Sequence, residues 1–349
     1  MVLEVTKWFN RMLALALGLA ILLAFVACQR VHHDVSTSFY YWQTEYHLGD
    51  GEKDALSRLG VGRMYVRFFD VDYSFAPDAA VVPVAEIRGL TPDSSVEIVP
   101  VVYITQRALA NTNETHIKQL ALAIWNKVKF MRDSTLIKEL QLDCDWTEST
   151  KSKYFRILET IASAAPRLTL SSTVRLHQVK YATSCGVPPV ARGTLMCYNA
   201  DNPGRPETVN SVFDESTIAK YIDFAQDYPI PLDVALPIFS QAVLFRNSKA
   251  MYLIGNATRQ SIDSSGIFGR TGPNTYSATT CGYFAGHYIY ERDSLRLEQP
   301  AMEQLLRISK KISNKIKNKD ITVTFFHLDE RTIERVNNHE IETILDCYR

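Results

Sequence analysis

Asp143 and Asp145 stand two residues apart at the end of an apolar run, Leu140-Gln141-Leu142-Asp143-Cys144-Asp145, with Trp146 and Glu148 close behind. Side chains alternate faces along a strand, so the two carboxyls point the same way, about 6–7 Å apart along the backbone. Carboxyls about 5–10 Å apart are the equipment of glycoside hydrolysis, one as acid and the other as base or nucleophile. A carboxyl flanked by an indole and crowded by a second carboxyl is pushed toward its protonated form. This makes Asp145 the expected acid and Asp143 the ionised base or stabiliser, with Glu148 or Asp72 as the second catalytic group. Spacing alone accounts equally well for a strand-end Asp pair that caps the next helix, so the elements around the pair have to decide.

Apolar, β-branched or aromatic runs recur at residues 38–45, 63–69, 96–103, 140–144, 168–174, 194–198, 232–238 and 321–326. Amphipathic stretches separate many of them, the longest at 114–131, where Ile117, Leu120, Ala121, Ile124 and Val128 keep a helical period. Near-continuous apolarity is how parallel strands covered on both faces read. Alternating βα units predict a parallel sheet. The number of units predicts a (β/α)8 TIM-type barrel, with its site at the strands' C-terminal ends. A doubly wound open sheet is the competitor, but no G-x-G-x-x-G or P-loop stands at a strand–helix junction to support nucleotide binding. The expected domains are a signal segment at 1–27, a tether at 28–37 and one barrel at 38–349. A long insertion at 246–298 lies between the seventh and eighth strands and contains a β-hairpin turning at 291–293. Its Tyr276, Tyr283, Phe284, Tyr288 and Tyr290 argue for an ordered segment over the barrel mouth.

Residues near the expected strand ends then become candidates for substrate contact. They are Trp42; Arg67, Asp70 and Asp72; Trp146; Arg175 and His177; Tyr198 and Asn199; and His327. Aromatic faces, hydrogen-bonding groups and carboxylates together suit a glycan ligand. Each also has a plainer reading. Arg67 can pair with Asp70 or Asp143, Trp42 can fill the barrel interior, His177 and His327 can be satisfied loop histidines, and Asp201 before Asn-Pro-Gly reads as turn chemistry. A weaker alternative has Asp70, Asp72, Asp143 and His327 hold a hard divalent ion, though no spacing motif supports a metal. No cofactor is expected.

At the N-terminus, Lys7 and Arg11 precede an uncharged apolar run, Met12 to Ala27. That run is shorter than the roughly 20 residues of a spanning helix. It ends in Phe25-Val26-Ala27-Cys28, which resembles the bacterial lipobox. The resemblance implies lipidation of Cys28 and a membrane partner through that anchor. The implied location is the bacterial cell envelope, with the outer membrane favoured. A secretory signal or an uncleaved anchor are the alternatives. Lys plus Arg and Asp plus Glu both number 38, so global charge gives no argument for nucleic acid. The remaining cysteines, Cys144, Cys185, Cys197, Cys281 and Cys347, form no C-x-x-C pair, which argues against zinc. A Cys185–Cys281 disulfide is open on sequence grounds.

The segment Asp143-Cys-Asp145-Trp also resembles the chitinase-type glycoside hydrolases, whose fourth strand ends in D-x-x-D-x-D-x-E. Asp143 and Asp145 match the second and third acids, Leu140 stands at the first, and Thr147 stands where that family has its catalytic Glu. Glu148 falls one residue late. A resemblance covering nearly the whole mature chain is to an uncharacterised family of bacterial lipoproteins. It is carried by Phe39-Tyr40-Tyr41-Trp42-Gln43, Tyr65 to Asp72, Leu140 to Trp146, Ser172 to Gln178 and Gly193 to Asn199. It implies a glycoside-hydrolase-like barrel at the cell envelope, and a chain that acts on glycans or serves as an inactive carbohydrate-binding scaffold.

Overall fold

The computed structural model describes residues 33–74, 80–91 and 95–349. The expected signal segment and Cys28 lie outside the described residues. In chain order the strands begin with β1 (Asp34–Tyr41), β2 (Arg63–Ser74), β3 (Ala80–Val84), β4 (Glu97–Ile104), β5 (Glu139–Cys144), β6 (Thr169–Arg175), β7 (Arg192–Met196) and β8 (Leu232–Pro237). Seven short strands follow: β9 (Gln241–Arg246), β10 (Lys249–Gly255), β11 (Phe268–Arg270), β12 (Thr275–Ala278), β13 (Gly282–Phe284), β14 (His287–Ile289) and β15 (Ser294–Glu298). The last is β16 (Asp320–Phe326). The parallel order β1-β16-β8-β7-β6-β5-β4-β2 closes on itself, because β1 pairs with both β16 and β2. The fold is the expected (β/α)8 barrel. β1 opens at Asp34, inside the segment expected to be a tether.

Strand β5 shows how the sequence builds the barrel. Leu140, Leu142 and Cys144 face outward and join the large apolar core between strands and helices. The helix Lys151–Ala164 supplies Tyr154, Ile157, Leu158 and Ile161 to that core from one face. The alternate residues face inward and are polar. Glu139 accepts from Ser171 Oγ at 2.5 Å and Arg63 Nη1 at 3.0 Å. Gln141 accepts from Tyr40 Oη at 2.6 Å and donates to Thr194 Oγ1 at 3.1 Å. Asp143 is the next rung. A polar column inside a barrel is tolerable only when its groups are hydrogen-bonded, and these rungs bring their partners with them.

Two elements differ from the sequence reading. β2 does not stop at residue 69. A register shift between Arg67 and Phe69 against β4 lets it run on to Ser74, where it pairs antiparallel with β3. Bulges of this kind re-aim a strand, and here the extension carries Asp70 and Asp72. In the insertion, β10-β9-β15-β12-β11 form an antiparallel sheet with its own core, including Leu244, Ile262, Tyr276 and Leu295. The separate hairpin is β13–β14, and it turns at Ala285–Gly286 rather than at 291–293. Both turn residues have positive φ, 48° and 82°, as a two-residue hairpin turn requires. Ser294–Glu298 pairs instead with β9 and β12.

Candidate glycan-binding cleft

A cleft of about 600 Å³ opens at the C-terminal ends of β5–β8 and β16. Its strand-end residues are Asp145, Arg175, Tyr198 and Phe326, and His177 stands on the short helix that follows β6. β9 adds Gln241, β10 adds Leu253, the loop after β7 adds Asn199 and Ser211, and the helix Glu215–Ile222 adds Tyr221. Phe239 and Phe326 cross edge-to-face at 5.5 Å, and the Tyr198 and Phe326 rings lie 5.1 Å apart. Trp42 stands 5.6 Å from Phe326 but does not line the cleft. It packs on the interior cluster of Tyr40, Tyr65 and Tyr198, as its plainer reading had it.

The acids are arranged differently from the sequence expectation. Arg175 grips Asp145 with both arms of its fork, Nε to Oδ1 and Nη2 to Oδ2, the latter at 3.1 Å. Asp143 is buried deeper, 3% exposed, and accepts from Thr173 Oγ1 at 2.6 Å. Burial pushes its pKa up to about 6; Arg175 opposes the rise, while Asp145 adds to it. Asp143 is therefore the carboxyl driven toward the protonated form, in the role expected of Asp145. The physical ground for that expectation also fails. Trp146 is fully buried, stacks on Tyr154 at 5.1 Å and donates its indole N–H to the Cys185 carbonyl at 2.9 Å. It faces the helical layer and does not line the cleft. Glu148 lies exposed in the turn before the helix Lys151–Ala164, with no hydrogen bond or ion pair among the described residues.

Other candidates are engaged elsewhere. Arg67 pairs bidentately with Asp70, at 2.7 and 2.5 Å. Asp72 is held by Thr105 Oγ1 at 2.6 Å and by Arg107, and although burial opposes it, these bonds keep its carboxyl below the usual range. It ties the β2 extension to the chain after β4 and is not brought to Asp143. His327 does not line the cleft; its Nε2 is 3.2 Å from Asp329, and burial lowers its pKa. Phe326, joined to it by a cis peptide bond, takes the aperture instead. The metal alternative fails because Asp70, Asp72 and His327 each turn to a different partner. Among the described residues, no cluster of three or more His, Cys, Asp or Glu could hold an ion. Cys185 and Cys281 are both free, one buried and the other exposed.

Tyr198 lines the cleft, but its hydroxyl is buried and unsatisfied. It is 2% exposed, and its hydroxyl makes no hydrogen bond with any described residue. Burial raises its pKa well above the ordinary tyrosine value, so it stays a donor. Asn199 beside it has φ 52°, a left-handed conformation that Asn tolerates better than most residues. The loop that follows is pinned by the insertion. Glu298, fully buried, accepts from Ser211 Oγ at 2.5 Å, Gln241 Nε2 at 2.8 Å and Arg296 Nε at 2.7 Å. Arg296 also donates to the carbonyls of Pro203 and Arg205 at 2.8 and 2.9 Å. Sequence reasoning missed this clamp and the roles of Leu253 and Tyr221. The register of β15, which sets Glu298 opposite Gln241, is a product of tertiary pairing.

No protein-family model and no curated protein matches the sequence. Solved structures do match its fold. The chitinase from Chromobacterium violaceum ATCC 12472 superposes over 89% of this chain and 98% of its own, at 12% identity and a TM-score of 0.53. The spore cortex-lytic enzyme SleL from Bacillus cereus covers 91% of this chain and 75% of its own, at 10% identity and a TM-score of 0.53. SleL from Bacillus megaterium QM B1551 gives 11% identity, coverage of 89% and 74%, and a TM-score of 0.52. At such identities the likeness is one of fold, and the fold shared is the (β/α)8 barrel.

Proposed function

We propose that the chain binds a glycan in the cleft formed by β5–β8, β16 and the insertion, and that it captures the glycan without cleaving it. The carrying observation is the Arg175–Asp145 pair. Both oxygens of the carboxylate nearest the cleft accept from one guanidinium, so the group is tied to Arg175 by a two-bond, charge-assisted pair that any proton transfer to a glycosidic oxygen would have to break. Asp143 lies beneath it, hydrogen-bonded to Thr173, and Thr147 occupies the place of the acid in the chitinase-type motif. What the cleft does offer is aromatic surface from Phe239 and Phe326, and hydrogen-bonding side chains from His177 and Asn199. The names of the neighbours, a chitinase and a spore cortex-lytic enzyme, support glycan as the ligand class.

A second reading, hydrolysis, is favoured by one observation: the pKa of Asp143 near 6 suits a proton donor. Incubating the purified protein with chitin oligosaccharides and peptidoglycan fragments, with Asp145→Asn as the control, separates the two. Capture predicts calorimetric binding and no new reducing ends. Turnover abolished by Asp145→Asn would overturn it. The envelope location belongs to this proposal too, and it rests on the lipobox-like Phe25 to Cys28.

A further inference from the structure

Lys180 lies at the end of the short helix Leu176–Lys180 that follows β6. His177, three residues earlier on that helix, lines the cleft. Residues three apart share a helix face, so Lys180 lies on the His177 side of that helix, just outside the residues that line the cleft. Its ammonium is 5.4, 5.1 and 5.6 Å from the ring centroids of Tyr181, Tyr221 and Phe224. Tyr221 belongs to the cleft wall as well, which places the cation one ring's width from a ligand lying there. Tyr181 and Phe224 are 49% and 44% exposed, an unusual outlay of aromatic surface.

The second observation concerns pairing. The guanidinium inside the cleft, that of Arg175, is matched to Asp145, and the nearby Asp223 is matched to Lys315 at 2.8 Å. Lys180 has no ion pair or hydrogen bond among the described residues. Rings attract a cation and restrict a long flexible side chain without neutralising it. Much of the ordering entropy that weakens an exposed lysine contact is therefore spent before any ligand arrives.

We propose that Lys180 reads an acidic substituent, a carboxylate or a phosphate, on the glycan held in the cleft. This rests on the cleft binding glycan and adds the class of glycan it selects. Lys180 binds by charge alone and takes no part in bond making.

The test is calorimetry on the full protein with three probes of one backbone: tetra-N-acetylchitotetraose, its carboxymethyl ether and its phosphate ester. The wild type should bind an acidic probe about three- to fivefold more tightly than the neutral one, the scale of a partly exposed ion pair, and salt should erode that preference. Lys180→Gln should bind all three at the neutral probe's affinity, and Lys180→Arg should restore the preference. The two acidic arms distinguish carboxylate from phosphate. Neutral and acidic probes bound equally by the wild type, or a preference that survives in Lys180→Gln, would overturn the inference and leave the glycan cleft standing. Failure to bind any probe would overturn both.

Discussion

Replacing Asp143 by Asn tests the assignment of the raised pKa where it has the largest energetic consequence. A carboxyl with a folded-state pKa near 6, against about 3.9 in an unfolded chain, is worth about 3 kcal/mol. The sign follows from proton counting. Between those two values the native state holds the proton and the unfolded state has lost it, so stability falls as pH rises through this window. The penalty is absent below about pH 4 and complete above about pH 7. The substituted amide can still accept the Thr173 hydroxyl, which in the wild type lies 2.6 Å from Oδ1 of Asp143. It also presents two N–H donors to a buried site, at a cost of about 1–3 kcal/mol. That cost does not vary with pH, whereas the relief from charge burial does. Asp143→Asn should therefore be less stable than wild type near pH 4 and gain about 3 kcal/mol relative to it by pH 7.5. Urea unfolding of both proteins across that range reads the difference directly, and carboxyls that do not interact with Asp143 cancel in it. A pH-independent gap would refute the argument. So would the same pH dependence appearing in Asp145→Asn and not in Asp143→Asn, which would restore the assignment expected from sequence.

Tyr198→Phe removes a hydroxyl with no partner among the described residues. Because that hydroxyl is buried and unpaired, stability should rise by about 1 kcal/mol in urea unfolding, and glycan affinity in calorimetry should stay unchanged. Arg296→Met leaves Glu298 buried and without its cation, a loss of about 3–5 kcal/mol to be read by urea unfolding. Hydrogen exchange should quicken at the amides of Asn199 and Ala200, which in the wild type bond to the carbonyls of Val212 and Ser211. If Cys28 carries the lipid, Cys28→Ser should abolish incorporation of radiolabelled palmitate into the chain in a bacterial host.

The barrel was legible because its outward-facing residues are. Leu140, Leu142 and Cys144 announce a buried strand, and like runs recur around the barrel. The inward residues of β5 are polar, and their satisfaction depends on partners far away in sequence, such as Thr194 for Gln141 and Ser171 for Glu139. For the same reason sequence located Asp143 and Asp145 but expected the raised pKa at Asp145, where burial raises it at Asp143. Two carboxyls at strand spacing look alike until the environment separates them. The deciding partners, Thr173 and Arg175, lie some thirty residues on, in β6. Trp146 misled for a local reason. Sequence adjacency placed it beside Asp145, whereas the chain turns there and sends the indole to Tyr154 and the Cys185 carbonyl. The clamp of Arg296 and Glu298 carries no motif at all, since it arises where a strand of the insertion meets the loop after β7.

The charges at the barrel mouth bear on the proposal that the cleft holds a glycan without cleaving it. Arg67 cancels Asp70, Arg175 cancels Asp145, and burial drives Asp143 toward its neutral form. What remains is aromatic surface and hydrogen-bonding groups suited to holding a sugar, with Asp201 held by the Asn202 amide and the Thr208 hydroxyl and paired with no cation among the described residues. To make Asp145 an acid, a ligand would have to pull it out of a bidentate pair whose arginine is largely buried, 18% exposed. It would also have to offer that arginine a replacement anion, since leaving a buried charge unpaired costs about 3–5 kcal/mol. A neutral sugar carries no such anion. An acidic glycan does, but the ammonium of Lys180 stands just outside the cleft lining with no pair to break. Under the proposal made for Lys180, that cation takes the ligand's charge and the Arg175–Asp145 pair stays closed.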